Sequence, residues 1–282
     1  MSTRKSIVVG RVLLYAVYVL ITVIALFPIL YVILASFRTN QEIFEYALPF
    51  TWKTLIPQQW TASNYAAIFR EMRFGIAIRN TVIVVLITVP ISLFISALGG
   101  FAFAFFHFKG KNLLFSLCLI SFMVPTDAIA IPLYNEISKM GMVNTFWALI
   151  LPGCASGLAM FLFTQFFRDI PKSLLEAGLM DGATWIQTFT RIVLPLSIPV
   201  VITAGLMIFV AQWNDFLWPL LVTRSEAVRT IQVALAYFED ENQVFFSYIY
   251  AGAAISALVP ITVFLPLQKY FVQGITSSGV KG

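Results

Sequence analysis

Charge is what this sequence has least of. Of its 282 residues, 11% are Asp, Glu, Lys or Arg, less than half of the ~25% usual in a soluble domain. Apolar residues make up 60%, and 27 residues are Phe. Such a chain cannot cover itself with a water-facing surface, so a soluble enzyme or binding module is excluded and a membrane protein is expected. Histidine is nearly absent: the single His107 stands beside Lys109 and Lys111 at the edge of an apolar run, which suits an interfacial residue and not a catalytic one. The two cysteines, Cys118 and Cys154, both lie inside apolar runs, where cysteine behaves as a small hydrophobe, and they suggest neither a disulfide nor a metal site. No GxxxxGK[ST] phosphate loop occurs, so the chain is not expected to hydrolyse ATP alone. No secretory leader is evident either. The first apolar run follows Arg4, Lys5 and Arg11, lacks a small-residue cleavage site and continues for 26 residues, so it is expected to be a retained span. The net charge of +5 is the Lys/Arg excess expected at cytoplasmic span ends, not a sign of nucleic-acid binding.

What is there in abundance is long apolar runs. Residues 12–37, 80–106, 112–135, 140–167, 192–223 and 242–268 each exceed the ~20 residues a helix needs to cross about 30 Å of hydrocarbon. An all-α integral membrane protein with six transmembrane helices follows, with a cytoplasmic N-terminus over 1–11, a transmembrane domain over 12–270 and a C-terminal tail over 271–282. Prolines at 28, 90, 125, 132 and 260 lie inside these runs, and neighbouring groups must satisfy the backbone atoms that such kinks release. Orientation comes from the connecting segments. The N-terminus, 107–111, 168–191 and residues 269–282 hold ten Lys/Arg against three acids; the segments 38–79, 136–139 and 224–241 hold eight of each in more residues. The first set, with both termini, is assigned to the cytoplasm. No convincing repeat relates 12–135 to 140–268.

Between the fourth and fifth runs lies a short charged segment, "SLLEAGLMDGATWIQTFTRIVLPLSIP". Ser173 and Glu176 fit a capping box, Asp181-Gly182 supplies a helix stop, and Thr184 with Gln187 fits a second box that opens another short helix ending near Pro195. Two short helices joined at a Gly corner are expected. A two-turn helix is not stable alone in water, and its apolar face of Leu174, Leu175, Gly178 and Leu179 needs cover. Either the segment folds back on its own membrane domain or it plugs into a soluble partner.

At fixed spacing, Glu176-Ala177-Gly178, Gly182, Ile192 and Leu194-Pro195 resemble the EAA signature of ABC-importer permeases, with six of seven positions matched; Gly178 stands where Ala is usual. The stretch from Gln212 to Pro219 and Ser63-Asn64-Tyr65 resemble the carbohydrate-uptake branch, and the end of the chain resembles maltose-type G permease subunits. The resemblance implies that the loop over 168–195 is a coupling loop. Glu176, Ala177, Gly178, Asp181, Gly182, Ala183, Ile192 and Pro195 would seat it in an ATPase subunit, with Glu176 and Asp181 as mechanical anchors. Gly279, Val280, Lys281 and Gly282 would reach the ATPase dimer interface. A second permease, two ATPase subunits that hold ATP and Mg, and an external solute-binding protein would complete a sugar importer in the bacterial inner membrane, this chain binding no cofactor or metal. In this family the outer loop corresponding to residues 223–243 contacts the binding protein; solvated loop charge is the other reading of Glu226, Arg229, Glu239, Asp240 and Glu241.

Two acids lie at apparent membrane depth, Asp127 and Asp215, where function is the default reading. With Trp213 and Asn214, which is expected to hydrogen-bond beside Asp215, they are candidates for the translocation path. Placement near outer span ends, and an interfacial tryptophan belt, are the competing readings. An ion- or proton-coupled carrier working alone, with Asp127 or Asp215 carrying the proton, is the alternative function.

Overall fold

The computed structural model describes residues 2–240 and 243–279, with side chains over 10–238 and 244–270. The chain runs through α1 (Ser2–Ala35), α2 (Asn40–Glu45), α3 (Trp52–Leu55), α4 (Ser63–Arg70), α5 (Phe74–Phe105), α6 (Lys111–Met123), α7 (Thr126–Lys139) and α8 (Phe146–Ile150). A 3-10 turn, Leu151–Cys154, leads to α9 (Gly157–Arg168). Next come α10 (Lys172–Met180), α11 (Trp185–Thr188), a π-helical turn at Phe189–Val193, α12 (Leu194–Leu196), α13 (Ile198–Trp213), α14 (Leu217–Val222) and α15 (Ile231–Ala236). A two-residue antiparallel ladder, β1 (Glu239–Asp240) with β2 (Gln243–Val244), precedes α16 (Phe246–Gly279). The fold is helical, as expected.

Four of the expected crossings are helices or near-continuous helices long and apolar enough to span: Gly10–Ala35, Phe74–Phe105, Phe146–Arg168 and Phe246–Tyr270. The other two runs are broken. Between α6 and α7 the direction turns by 97°, where Val124 is extended and Pro125 follows. Proline disfavours the helical region for the residue before it, so the helix stops there. The fifth run differs more. Trp185–Leu196 and Ile198–Trp213 meet at 83°, with Ser197 off helical geometry between Pro195 and Pro199. Because Pro199 has no N–H to continue the ladder, residues 192–196 belong to the preceding loop and the long apolar helix begins at Ile198, not at residue 192.

The chain divides into two units. The first, residues 1–74 and 235–258, is organised on one buried ion pair. Arg38, 1% exposed, donates from Nε to Glu42 at 3.1 Å and from its other nitrogens to the carbonyls of Thr54, Glu42 and Lys53. The Glu42 carboxylate accepts the backbone N–H groups of Gln58 and Gln59. Asn64 ties the start of α4 back to the end of α1 through the carbonyls of Ser36 and Arg38, both at 2.8 Å, and Tyr65 meets the Ser36 hydroxyl at 2.6 Å. The Asn64-Tyr65 pair of α4 is thus a structural clasp. In the same unit residues 10–30 are all exposed, so lipid or another protein must cover α1.

The second unit, residues 75–234 and 259–282, holds the main apolar core. Ala97, Phe101, Ala159, Phe163, Phe167, Leu175, Phe189, Val193 and Ala204 are buried together, joining α5, α9, α10, the π-helical turn and α13. Asn80 donates to the carbonyls of Ala227 and Arg229 at 3.0 and 2.9 Å, and Thr81 accepts the Ile231 N–H. These bonds fix the segment before α15 on the start of α5.

Removing one partner of a buried ion pair costs about 3–5 kcal/mol. Arg38→Met should lower the thermal stability of the first unit by that order, and Glu42→Gln by less because the amide still accepts hydrogen bonds. Thermal unfolding of the purified chain, with protease accessibility of residues 38–60, measures both.

Candidate functional site

The segment 168–196 has two faces. One is packed into its own domain: Leu175 and Phe189 are buried in the core, and Trp185 sits edge-on to Phe106 at 4.9 Å and to Phe101 at 6.2 Å. Burial of a large apolar side chain stabilises by roughly 1.5–3 kcal/mol, so these three hold the segment in place. The other face is open. Met180 is 87% exposed and Ile186 75%, with Leu174 and Trp185 nearly half exposed. Glu176, Ala177, Asp181 and Gly182 are exposed on the same two short helices. Neither the Glu176 nor the Asp181 carboxylate forms a hydrogen bond or ion pair among the described residues.

Local chemistry explains the corner. At the end of α10 the Ala183 N–H bonds the Gly178 carbonyl and the Gly182 N–H bonds the Leu179 carbonyl, both at 3.0 Å, the paired bonds of a Schellman cap. Gly182 takes φ +84° there. The second capping box forms as expected: Gln187 N–H donates to the Thr184 hydroxyl and Thr184 N–H to the Gln187 side chain at 2.8 Å. The first box does not form. Pro171, with extended backbone, precedes the helix, which begins at Lys172 without a side-chain cap; Ser173 is thus inside the first turn and has no cap position to occupy. Gly178 and Ile192 meet, since a Cβ on Gly178 would lie 2.6 Å from the Ile192 Cδ1. The smallest residue in the segment and its isoleucine form one packing contact. Ala183 is half-buried and Pro195 exposed. Gly279 ends α16, and Val280, Lys281 and Gly282 lie outside the described residues.

A cavity of about 450 Å³ forms where three helix breaks converge. Thr126 and Asp127 come from the start of α7, Pro152, Gly153, Ala155 and Ser156 from the interruption between α8 and α9, Asp215 from the gap between α13 and α14, and Leu217 from the start of α14. Gln212 completes the polar lining, and no Lys, Arg or His contributes. The two candidate acids are therefore brought to one space. Trp213 and Asn214 are not. Trp213 is 1% exposed and stacks on Phe209; Asn214 donates to the Val210 carbonyl and accepts from Gln232. The expected partnership of Asn214 with Asp215 is absent because Asn214 closes the end of its own helix. Gln212 and Gly153, overlooked in the sequence, take their place. Two anchors hold this wall: the Trp218 indole N–H donates to the Ala148 carbonyl at 2.9 Å, and Asn144 accepts both Arg224 and Ser225 N–H groups.

With this geometry in hand, the likeness to known proteins is specific. The family described as binding-protein-dependent transport system inner membrane component matches residues 96–277. The chain is 35% identical over 286 residues to the arabinooligosaccharides transport system permease protein AraQ of Halalkalibacterium halodurans, covering 99% of each. It is 34% identical to the probable ABC transporter permease protein YurM of Bacillus subtilis, covering 99% of this chain and 91% of that one. Its fold matches a solved chain of a bacterial ABC transporter involved in the import of the acidic polysaccharide alginate, with TM-score 0.79 at 23% identity over 96% of this chain and 98% of that one. The chain belongs to the family of binding-protein-dependent transport system inner membrane components. It is a transporter permease and not a catalytic enzyme, as the EAA resemblance implied, and the carrier working alone is set aside.

Gly178→Ala should force the Ile192 side chain to move, and Ile192→Val, which lacks that terminal carbon, should make room for it. Residues in contact show interaction energies of roughly 0.5–3 kcal/mol. Thermal unfolding of the two single variants and the double is expected to be non-additive, with the double more stable than the sum.

Proposed function

We propose that this chain is one of two permease subunits of an ATP-driven importer for carbohydrate in the bacterial inner membrane, working with two ATPase subunits and an external solute-binding protein. The observation that carries the proposal is the open face of the segment 168–196. It is a rigid corner, held from behind by Leu175, Trp185 and Phe189, that presents Met180, Ile186 and Leu174 around two unpaired carboxylates. Exposed apolar side chains clustered with unpaired charge are characteristic of a protein-binding surface. Each bent helix pair is read as one crossing, so the chain crosses six times, the corner lies between crossings four and five, and it faces the cytoplasm together with both termini. There an ATPase subunit, which holds ATP and Mg, covers it, with Glu176 and Asp181 as anchors.

The covalent path from that corner explains coupling. Trp185–Leu196 bends directly into α13, whose far end supplies Ile208, Ala211 and Gln212 to the cavity wall. Sixteen residues of helix span about 24 Å, so a displacement imposed on the corner by ATPase closure reaches the cavity through one stiff element. Alternating access then needs no chemistry in this chain. The cavity, with Asp127, Asp215 and Gln212, is read as part of the translocation path. Its carboxylates accept hydrogen bonds from sugar hydroxyls, and its lack of basic side chains suits an uncharged glycan. The relative named for arabinooligosaccharide transport supports carbohydrate as the substrate class.

Met180→Asp and Glu176→Arg should each abolish binding-protein-dependent uptake in cells while leaving the amount of chain in the membrane unchanged. In a background lacking Cys118 and Cys154, Ala177→Cys should cross-link to a soluble ATPase through a short thiol-to-amine reagent. Normal uptake by both charge variants, or a thiol that captures nothing larger than the reagent, would sink the docking proposal.

A further inference from the structure

Among the described residues of the second unit, one cluster of cations is left unused by the proposed contact of the corner. At the end of α5 and the start of α6, a pocket of about 300 Å³ is lined by His107, Phe108, Gly110, Lys111, Asn112 and Leu113. Arg168, the last residue of α9, and Lys172, the first of α10, are close enough for their charges to act on the Lys111 ammonium. Among the described residues, Lys111 donates to the Phe106 carbonyl at 2.8 Å and to no other group. The Arg168 guanidinium lies over the Phe115 ring at 5.3 Å. Among the described residues, no carboxylate forms an ion pair with Lys109, Lys111, Arg168 or Lys172.

Asp169 adjoins Arg168 in the chain without pairing with any of the four cations, and crowded cations repel one another unless an anion or bulk water screens them. The position of the cluster selects between these. Lys111 begins α6 and Arg168 ends the apolar stretch Phe146–Arg168, the level at which a bilayer places its headgroups, and Lys172 follows four residues on. The pocket is itself two-sided, with cations and an amide beside Phe108 and Leu113, 43% and 67% exposed, and α6 continues with exposed Leu114 and Leu117. A free inorganic anion has no use for that apolar border. A phosphodiester joined to acyl chains uses both. Basic pockets between helices at a membrane surface recognise anionic lipid headgroups in this way.

We propose that the pocket at His107–Leu113, with Arg168 and Lys172, binds the phosphate of an anionic phospholipid and holds its chains against α6. The bound lipid would neutralise the hinge between α9 and α10 and brace the end of α5 on which Trp185 rests. The site uses none of Glu176, Asp181, Met180 or Ile186, although Arg168 and Lys172 stand at the start of the same segment.

Native mass spectrometry of the full chain, delipidated and titrated with phosphatidylglycerol, phosphatidylcholine or inorganic phosphate, tests the proposal. Phosphatidylglycerol should be retained in preference to phosphatidylcholine. Lys111→Gln and Arg168→Gln should each weaken that retention by about fivefold, the effect expected for one charge near an anionic surface. Lys172→Gln, an exposed change that does not put folding at stake, should do the same. Lys139→Gln, whose lysine is exposed and paired with Glu136, should change nothing. Equal retention of the two lipids overturns the proposal. So does displacement of phosphatidylglycerol by an equal concentration of inorganic phosphate, which would mark an unspecific anion site. Loss of the preference when the ATPase subunits are bound would make the cluster a protein contact and overturn it as well.

Discussion

Backbone N–H and C=O groups at membrane depth have no water to bond, so irregular chain survives there only where protein buries it or where it lines a hydrated space. The cavity of this protein follows from that constraint. Three interruptions, at Val124-Pro125, at residues 151–156 and at residues 214–216, all deliver residues to the same 450 Å³ space. Had the helices run unbroken, Asp127 and Asp215 would be carboxylates in hydrocarbon, and each would cost several kcal/mol. The breaks let both face one polar volume. The first of these interruptions also bends its apolar run by 97°, whereas the 83° bend at Ser197 is a separate break at the opposite end of α13 from the cavity.

The Gly corner within residues 168–196 obeys a complementary rule. Two helices of two turns and one turn cannot hold themselves, and the core supplies the missing energy through Leu175, Phe189 and the aromatic bed of Phe101 and Phe106. That leaves the outer face free to be apolar. The division of labour is sharp at the level of adjacent residues: Leu174 is exposed and Leu175 buried, Met180 is exposed and Leu179 half-buried. Folding back on its own domain therefore covers one face of the segment and leaves the other open.

Local codes in the sequence translated directly into structure. Thr184 and Gln187 cap a helix, Asp181-Gly182 ends one with a left-handed glycine, and the uncharged runs became apolar helices. These features depend on neighbours within a few residues, so no knowledge of the fold was needed. The failures are instructive for the same reason. Ser173 reads as a cap, but Pro171 already starts the helix. Residue 192 reads as the start of a span, yet Ile192 packs on Gly178, and the turn at Ser197 separates it from α13.

By itself the sequence determined a helical membrane protein, the position and chemistry of the Gly corner, and the family signature that runs through it, because periodicity, capping and apolar length are local properties. Tertiary structure alone decided which acids share a cavity, that Gln212 and Gly153 join them while Trp213 and Asn214 turn away, and that Met180 and Ile186 stand exposed. Those outcomes depend on where distant helix breaks meet in space, and a residue's own neighbours in the chain carry no record of that.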